Sequence, residues 1–483
     1  MAQVLIVNMS FAFIQRVVDE VTPERTDPLT LKVDLKVHSN QDLVASLETI
    51  KQELESRKTC DVERVRKQLK HIDAELDEGK DISPLSLEHL ELFQQFLARL
   101  DLPSLPEKER KHAEQLGKKL EKKTKEHPLA GLPRSGDTVD NPDGISYLKV
   151  PINRRRQMAV TLYLNLLTGP SLTIVSLVVL WYFVPYFTYV LLAYAGYTVI
   201  DNAIRPMPCK KRIIQKWRKS NFFKLFVDYY PIRIVRSDRT EDKKVKADNF
   251  DAKRHYLFCY HPHGVGSVGA FSFSSAAAGV DEMFPGLSFS LQTLTFNFNF
   301  PVTRDNLICL GLGDASKKCL TNIFTADPGD SAVLVTGGAK ESMYAHPGDS
   351  TVVLKTRMGF AKLALTHGVS LVPVWGFGEN NVYENLAKHS PTIQSVQRKL
   401  IKVLSFAPLL VAGRGVFSYG GGLVPHRRPI TCVVGKPIHL KKEESFSDER
   451  LKEVHQQYMD SLTELFDTYK DIYDPRAEPI RFV

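Results

Sequence analysis

Over residues 157–200 the chain runs for 44 residues without an Asp, Glu, Lys, Arg or His. One bilayer crossing takes about 20 apolar residues, and a soluble core helix has no use for an uncharged run of this length. The stretch is therefore expected to enter a membrane. Gly169-Pro170 and Pro185 interrupt it. The part after Pro185 is short for a complete span, so a bent hairpin and two full crossings both fit. Arg154, Arg155 and Arg156 precede the run, and Arg205, Lys210, Lys211 and Arg212 follow it. Positive charge on both flanks places both ends on the cytosolic side. Trp181, Tyr182, Tyr186 and Tyr189 suit interfacial anchoring, and Pro185 among them equally suits a hairpin tip.

Elsewhere the composition is that of a globular protein, 43% hydrophobic and 25% charged, so the membrane part is local. The net charge of +9 suits anionic headgroups, a phosphate-bearing substrate or nucleic acid. Six scattered cysteines without a C-x-x-C pair read as reduced thiols facing the cytosol. The first sixteen residues lack a basic region and a clear cleavage site, and do not read as a signal peptide.

Ahead of the apolar run the pattern is helical. Leu43, Leu47, Ile50 and Leu54, then Val62, Val65, Leu69, Ile72 and Leu76, recur at spacings of three and four. This predicts an amphipathic helix, a coiled coil or one leg of a helical hairpin. Ser83-Pro84 opens a second helix to Leu100, and 105–126 is a third, rich in lysine. A small packing module is the plain reading of these helices; a surface for self-association or a partner is the other. Residues 127–151 are rich in Pro, Gly and Asp and read as a linker. The expected domains are a helical extension (1–131), a linker (132–156), a membrane-embedded hairpin (157–204) and an α/β domain (205–483). In that domain strand-like runs at 256–260, 306–310, 332–336, 351–354, 370–375 and 430–434 alternate with helical patterns such as 359–366. That alternation predicts a largely parallel sheet, closed by an amphipathic helix over 451–469.

The chemistry concentrates after the first of these strands. Tyr256–Tyr260 runs into His261-Pro262-His263-Gly264, where Gly264 lets the chain turn sharply. A histidine at a strand end can be neutral near pH 7 and act as a base. Gly264-x-Gly266-x-x-Gly269 has the spacing of a dinucleotide fingerprint, but Asp281 and Glu282, at the spacing its acidic partner needs, sit before a turn. No H-E-x-x-H or cysteine pair completes a metal set around His261 and His263, and no G-x-S-x-G elbow offers a serine nucleophile. The remaining reading is a histidine base without a covalent intermediate. Leu334-Val-Thr-Gly337-Gly338-Ala-Lys-Glu341 is a second strand-to-turn element that brings a carboxylate to a strand end. Arg357 and Lys362 stand near a helix start, where cations oppose the helix dipole unless an anion meets them.

Four ordered motifs resemble the type-2 diacylglycerol acyltransferase family, which includes monoacylglycerol and wax-ester acyltransferases. They are the His261-Pro262-His263-Gly264 block, Tyr229-Tyr230-Pro231 (where the family has Tyr-Phe-Pro), Gly337-Gly338-Ala339-Lys340-Glu341, and Arg357-x-Gly359-Phe360-x-Lys362-x-Ala364 continuing to Phe377-Gly378-Glu379. Residues 413–435, ending in Val-Val-Gly, are similar to the family's late block. The likeness runs from about Leu148 to the C-terminus; the helical extension lies outside it. It implies acyl transfer from acyl-CoA to diacylglycerol, making triacylglycerol at the endoplasmic reticulum membrane or the lipid droplet. The catalytic domain would face the cytosol. Monoacylglycerol and long-chain alcohols are the alternative acceptors. Acyl-CoA is a co-substrate, and no cofactor, metal or nucleic acid is implied. On this reading His263 is the first candidate for the base and His261 the second. Glu341 orients and charges the imidazole, N–H groups near Gly264, Gly337 and Gly338 meet the oxyanion, and Arg357 and Lys362 meet the phosphates. A membrane-anchored interaction protein with an inert catalytic domain is the reading from another class.

Overall fold

In the computed structural model, which describes residues 62–76, 87–126, 152–168, 170–204, 210–237, 250–301, 303–404, 409–416 and 422–483, the histidine-bearing strand lies mid-sheet. The strands are β1 (Ile232–Arg236), β2 (Tyr256–His261), β3 (Ser288–Thr293), β4 (Gly313–Asp314), β5 (Asp330–Val335), β6 (Thr351–Val352), β7 (Ser370–Phe377), β8 (Glu384–Asn385), β9 (Val411–Ala412), β10 (Ile430–Val434) and β11 (Arg481–Phe482). Seven of them form one sheet in the order β1-β10-β7-β2-β5-β3-β4. All its pairings are parallel except β10 with β7. β2 and β7 are buried at every position, which is why they read as unbroken apolar runs. Because β2, β5 and β7 are parallel neighbours, their C-terminal ends gather at one edge, the place where such sheets form sites.

Two expectations change. The apolar run at 306–310 is not a strand: Thr303–Cys309 is a helix. Five apolar residues carry no period that separates helix from strand, and here the decision is tertiary. Arg304 on that helix is fully buried and pairs with Asp201. At 351–354 only Thr351–Val352 is extended, and it pairs with β11 outside the main sheet. The closing helix is longer than its apolar pattern, Asp448–Tyr473, with the Ser447 hydroxyl capping it at the Arg450 N–H.

The described N-terminal helices (62–76, Leu87–Arg99 and Glu107–Glu126) belong to the same hydrophobic cluster as the sheet and the closing helix. Leu69, Ile72, Leu90, Phe93 and Leu120 are completely buried. Polar contacts fix their seat. Gln68 donates to the Thr468 carbonyl at 2.9 Å, Arg233 of β1 donates to Glu75 at 2.5 Å, and His89 meets the Thr431 hydroxyl of β10 at 3.0 Å. The part of the first helical pattern over 41–61, the N-terminal sixteen residues and the linker at 127–151 lie outside the described residues.

The uncharged run folds as three helices, Ile152–Thr168, Pro170–Phe183 and Phe187–Ile204, the last two turning back at Pro185-Tyr186. At 1.5 Å per residue the hairpin legs are about 21 and 27 Å long, under the roughly 30 Å of a hydrocarbon core. Among the described residues no helix is long and apolar enough to cross a membrane. The hairpin tip is nonetheless the most exposed apolar region: Tyr182 and Tyr186 are 77% and 79% exposed. Its return leg is tied to the domain where Asp201 accepts from Arg212 and Arg304, and where Tyr194 donates to Asp305 at 2.8 Å.

His71 lies buried in the seat of the N-terminal helices, 2.6 Å from the Tyr473 hydroxyl, and burial lowers its pKa to about 3. A folded value below the unfolded 6.5 gives stability that is present above pH 6.5 and lost as pH falls toward 3. Acidifying from pH 7 to 5 should therefore remove about 2 kcal/mol through this one group. His71→Gln should flatten that part of the curve, read as unfolding midpoint against pH.

Candidate active site

The two histidines of the turn have separate surroundings. His261 is the last residue of β2 and is fully buried. Its Nε2 faces the Thr336 hydroxyl at 2.8 Å and the Tyr458 hydroxyl of the closing helix at 3.2 Å. Its Nδ1 lies 3.7 Å from Glu341 Oε1. His263 is half-buried and lines a cavity of about 420 Å³. Its Nδ1 is 3.1 Å from the Gly264 carbonyl. A carbonyl can only accept, so Nδ1 carries the ring proton and Nε2 keeps the lone pair of a base. Desolvation lowers the His263 pKa, against smaller raising effects from the Gly264 carbonyl and the Glu341 charge. The ring is thus neutral at pH 7, as a general base has to be.

Glu341 comes back to this turn on the 3-10 segment Gly338–Tyr344, after a reversal at Gly337-Gly338. Its buried carboxylate accepts from the His263 backbone N–H at 2.7 Å and from the Val353 N–H at 2.8 Å. The sequence alone predicts that it orients the imidazole of the turn. In the structure it holds His263 by the main chain, acts on the ring through its charge, and has its nearest ring atom on His261. A side chain at Gly337 would place its Cβ 1.9 Å from Glu341 Oε2, so glycine there makes room for the carboxylate. Gly338 lines the cavity beside His263.

Glu379, the last fixed residue of the long motif, was given no role from sequence. It is fully buried just past β7. Its carboxylate accepts from the Val268 N–H at 2.7 Å, the Gly269 N–H at 2.8 Å and the Tyr260 hydroxyl at 2.8 Å. Gly264 sits directly over it at φ +59°, with Glu379 Cγ 2.7 Å from where a Cβ would be. The turn after His263 is therefore built on Glu379. Burial pushes its carboxyl up to about 7, although all three donors favour the ionised form. The sequence signal for it was its place in the motif.

The cavity wall is mainly aliphatic, including Leu291, Leu294, Leu307 and Leu312, with Leu164 and Asn165 from the helix that leads into the hairpin. Asn165 also donates to the Tyr230 hydroxyl at 3.3 Å, which places the Tyr229-Tyr230-Pro231 element behind this wall. The Asn221–Tyr229 helix is core, with Phe223 and Phe226 buried. Arg357 and Lys362 do not line this cavity; they line a neighbouring one of about 580 Å³. Asp281 and Glu282 lie in a short helix, away from any strand end. Among the described residues no group of three or more His, Cys, Asp or Glu is placed to hold a metal ion.

A largely parallel sheet that sets a half-buried histidine in the wall of an apolar cavity is an α/β architecture with room for a lipid-like substrate. Residues 179–482 match the family model described as Diacylglycerol acyltransferase, and the chain belongs to that family of O-acyltransferases. It is 39% identical over 349 residues to diacylglycerol O-acyltransferase 2A of Umbelopsis ramanniana, covering 70% of this chain and 92% of the relative. It is 39% identical over 261 residues to human diacylglycerol O-acyltransferase 2, covering 53% and 64%. It is 35% identical over 344 residues to bovine 2-acylglycerol O-acyltransferase 1, covering 69% and 98%.

Glu379→Gln should separate the carboxyl's ionisation from its packing. A folded pKa near 7 above an unfolded 4.5 means stability is full below pH 4.5 and declines as pH rises through 7. The native protein should lose about 3 kcal/mol from this group across that window, and the Gln variant none. The measurement is the difference between their denaturation curves at pH 5 and pH 8.

Proposed function

We propose that the protein transfers an acyl group from acyl-CoA to the free hydroxyl of diacylglycerol, at a membrane, with His263 as general base. The observation that carries this reading is the His263 ring, its Nδ1 3.1 Å from the Gly264 carbonyl, in the wall of an apolar cavity bordered by the helix entering the hairpin. An alcohol is a weak nucleophile until its proton is removed during attack. His263 Nε2 takes that proton as the hydroxyl oxygen bonds to the thioester carbonyl carbon. The carbon–sulfur bond then breaks, and the leaving thiolate receives the proton from the imidazolium. Glu341, buried beside the turn, favours the imidazolium as it forms. Main-chain N–H groups near Gly264 and Gly338 serve the oxyanion. The balance closes without a covalent enzyme intermediate, a metal or a cofactor. His261, enclosed by Thr336, Tyr458 and Glu341, supports the turn from behind.

The hairpin is read as entering the bilayer without crossing it, since its legs are shorter than the bilayer core and its aromatic tip is exposed. Leu164 and Asn165 stand in the cavity wall just before that hairpin begins, so an acceptor dissolved in the bilayer reaches His263 without crossing water. The basic flank at Arg154, Arg155 and Arg156 holds the catalytic domain on the cytosolic face, on the endoplasmic reticulum or a lipid droplet. A monoacylglycerol acceptor is the second reading, favoured by the similarity to the bovine 2-acylglycerol enzyme over 98% of its length. The inert-domain alternative is to be tested on the full chain. Removing the N-terminal helices would uncover Phe93 and Leu90 contacts in the shared core and confuse lost folding with lost activity.

Microsomes containing the full chain should form triacylglycerol from labelled acyl-CoA and diacylglycerol. His263→Ala should lower the rate by about 10²–10⁴-fold. The native rate should be flat from pH 7 upward and fall only below pH 6.5, because the base titrates below its ordinary value. Product on monoacylglycerol alone would change the acceptor and keep the mechanism; an active His263→Ala enzyme would remove the histidine from it.

A further inference from the structure

The cavity of about 580 Å³ beside the active site is lined by three cations, Lys317, Arg357 and Lys362. We propose that this cavity receives the phosphate groups of the acyl donor, and that Lys317, on a different element from the other two, is a determinant of donor binding. The inference rests on the acyl-CoA reading above and deepens it. Among the described residues none of the three cations is paired with a carboxylate, whereas Lys210 and Arg212 are spent on Asp330 and Asp201. Lys317 and Lys362 are exposed, so their charge is available to a ligand. Both also stand where the fold gains nothing from them. Lys317 opens the helix Lys317–Phe324, and Lys362 lies in the first turn of Gly359–His367, neither of which has an acid there. A cation in a first turn opposes the helix dipole, so these positions are costly unless an anion compensates.

The location fits a donor with a charged end and a reactive end. Ala315 and Leu334 line both cavities, so the basic one opens on the same wall as His263's apolar one. Thr336, whose hydroxyl meets His261, lines the basic side. Arg357 also reaches toward the Gly337 carbonyl at 3.5 Å, at the base of the glycine turn. A thioester lying across Leu334 would have its acyl chain among leucines and its phosphates among cations.

The test uses purified full-length protein in detergent, binding of unacylated coenzyme A by calorimetry, and acyl transfer in microsomes. Lys317→Glu should weaken coenzyme A binding by about tenfold and raise the KM for acyl-CoA, with kcat kept; Lys317→Arg should restore both. An acidic residue in a helix first turn is favoured, so Lys317→Glu should keep the unfolding midpoint, and a loss of binding then belongs to the site. If Lys317→Glu binds coenzyme A like the native protein while the native protein transfers acyl groups, the cavity assignment falls and the function stands. If the variant keeps coenzyme A binding but loses binding to phosphatidylserine vesicles, the cations read lipid headgroups and the proposal is overturned. If the native protein binds coenzyme A through Lys317 yet transfers nothing, the site stands and the proposed function falls.

Discussion

Two buried carboxylates hold the turn on which the site is built. Glu341 takes the main-chain N–H of His263 at its start, and Glu379 takes those of Val268 and Gly269 at its end. Burying a carboxylate is expensive unless its oxygens are bonded, and here main-chain donors and the Tyr260 hydroxyl do most of that. The arrangement works in both directions. The carboxyl groups are tolerated because the turn supplies donors, and the turn keeps its shape because its N–H groups have carboxyl oxygens as acceptors. Glycines at 264 and 337 follow from it, since a side chain at either would strike the carboxylate beside it.

The sheet decides where those carboxylates can stand. β5 leads to the Glu341 turn, β7 to Glu379, and β2 between them to the histidines. Parallel pairing brings three distant segments of chain to one edge with the same polarity. The closing helix locks the rear through Tyr458 on His261, and its far end carries Thr468 and Tyr473, on which the N-terminal helices sit. The described helices of the extension, outside the stretch shared with the family motifs, are part of the packing of the α/β domain.

On the proposed reading, a bilayer-dissolved alcohol and an anionic soluble donor need two unlike approaches to one base. The chain has an aliphatic cavity bordered by the helix before the hairpin, and a basic cavity on the other side of Leu334. Leu334, in β5, is with Ala315 the common wall, so the strand that leads to the glycine turn also separates the two environments.

The parts whose signal is local were legible in the amino-acid order. Unbroken apolar runs gave β2, β5, β7 and β10, because a strand buried on both faces needs apolar residues at every position. A 3.6-residue period gave the closing helix, and the 44-residue uncharged run gave the hairpin's apolar character. The histidine turn was legible from a strand end, a proline and a glycine. β1 and β3 were not, because Arg233, Ser288, Ser290 and Gln292 dilute the apolar pattern. Tertiary structure alone decided which histidine lines the cavity, that Glu341 grips the main chain, that Glu379 supports the turn, and that Lys317 joins Arg357 and Lys362. Those bring together residues about 40 to more than 100 positions apart, and no local periodicity encodes which distant side chain a sheet will bring alongside.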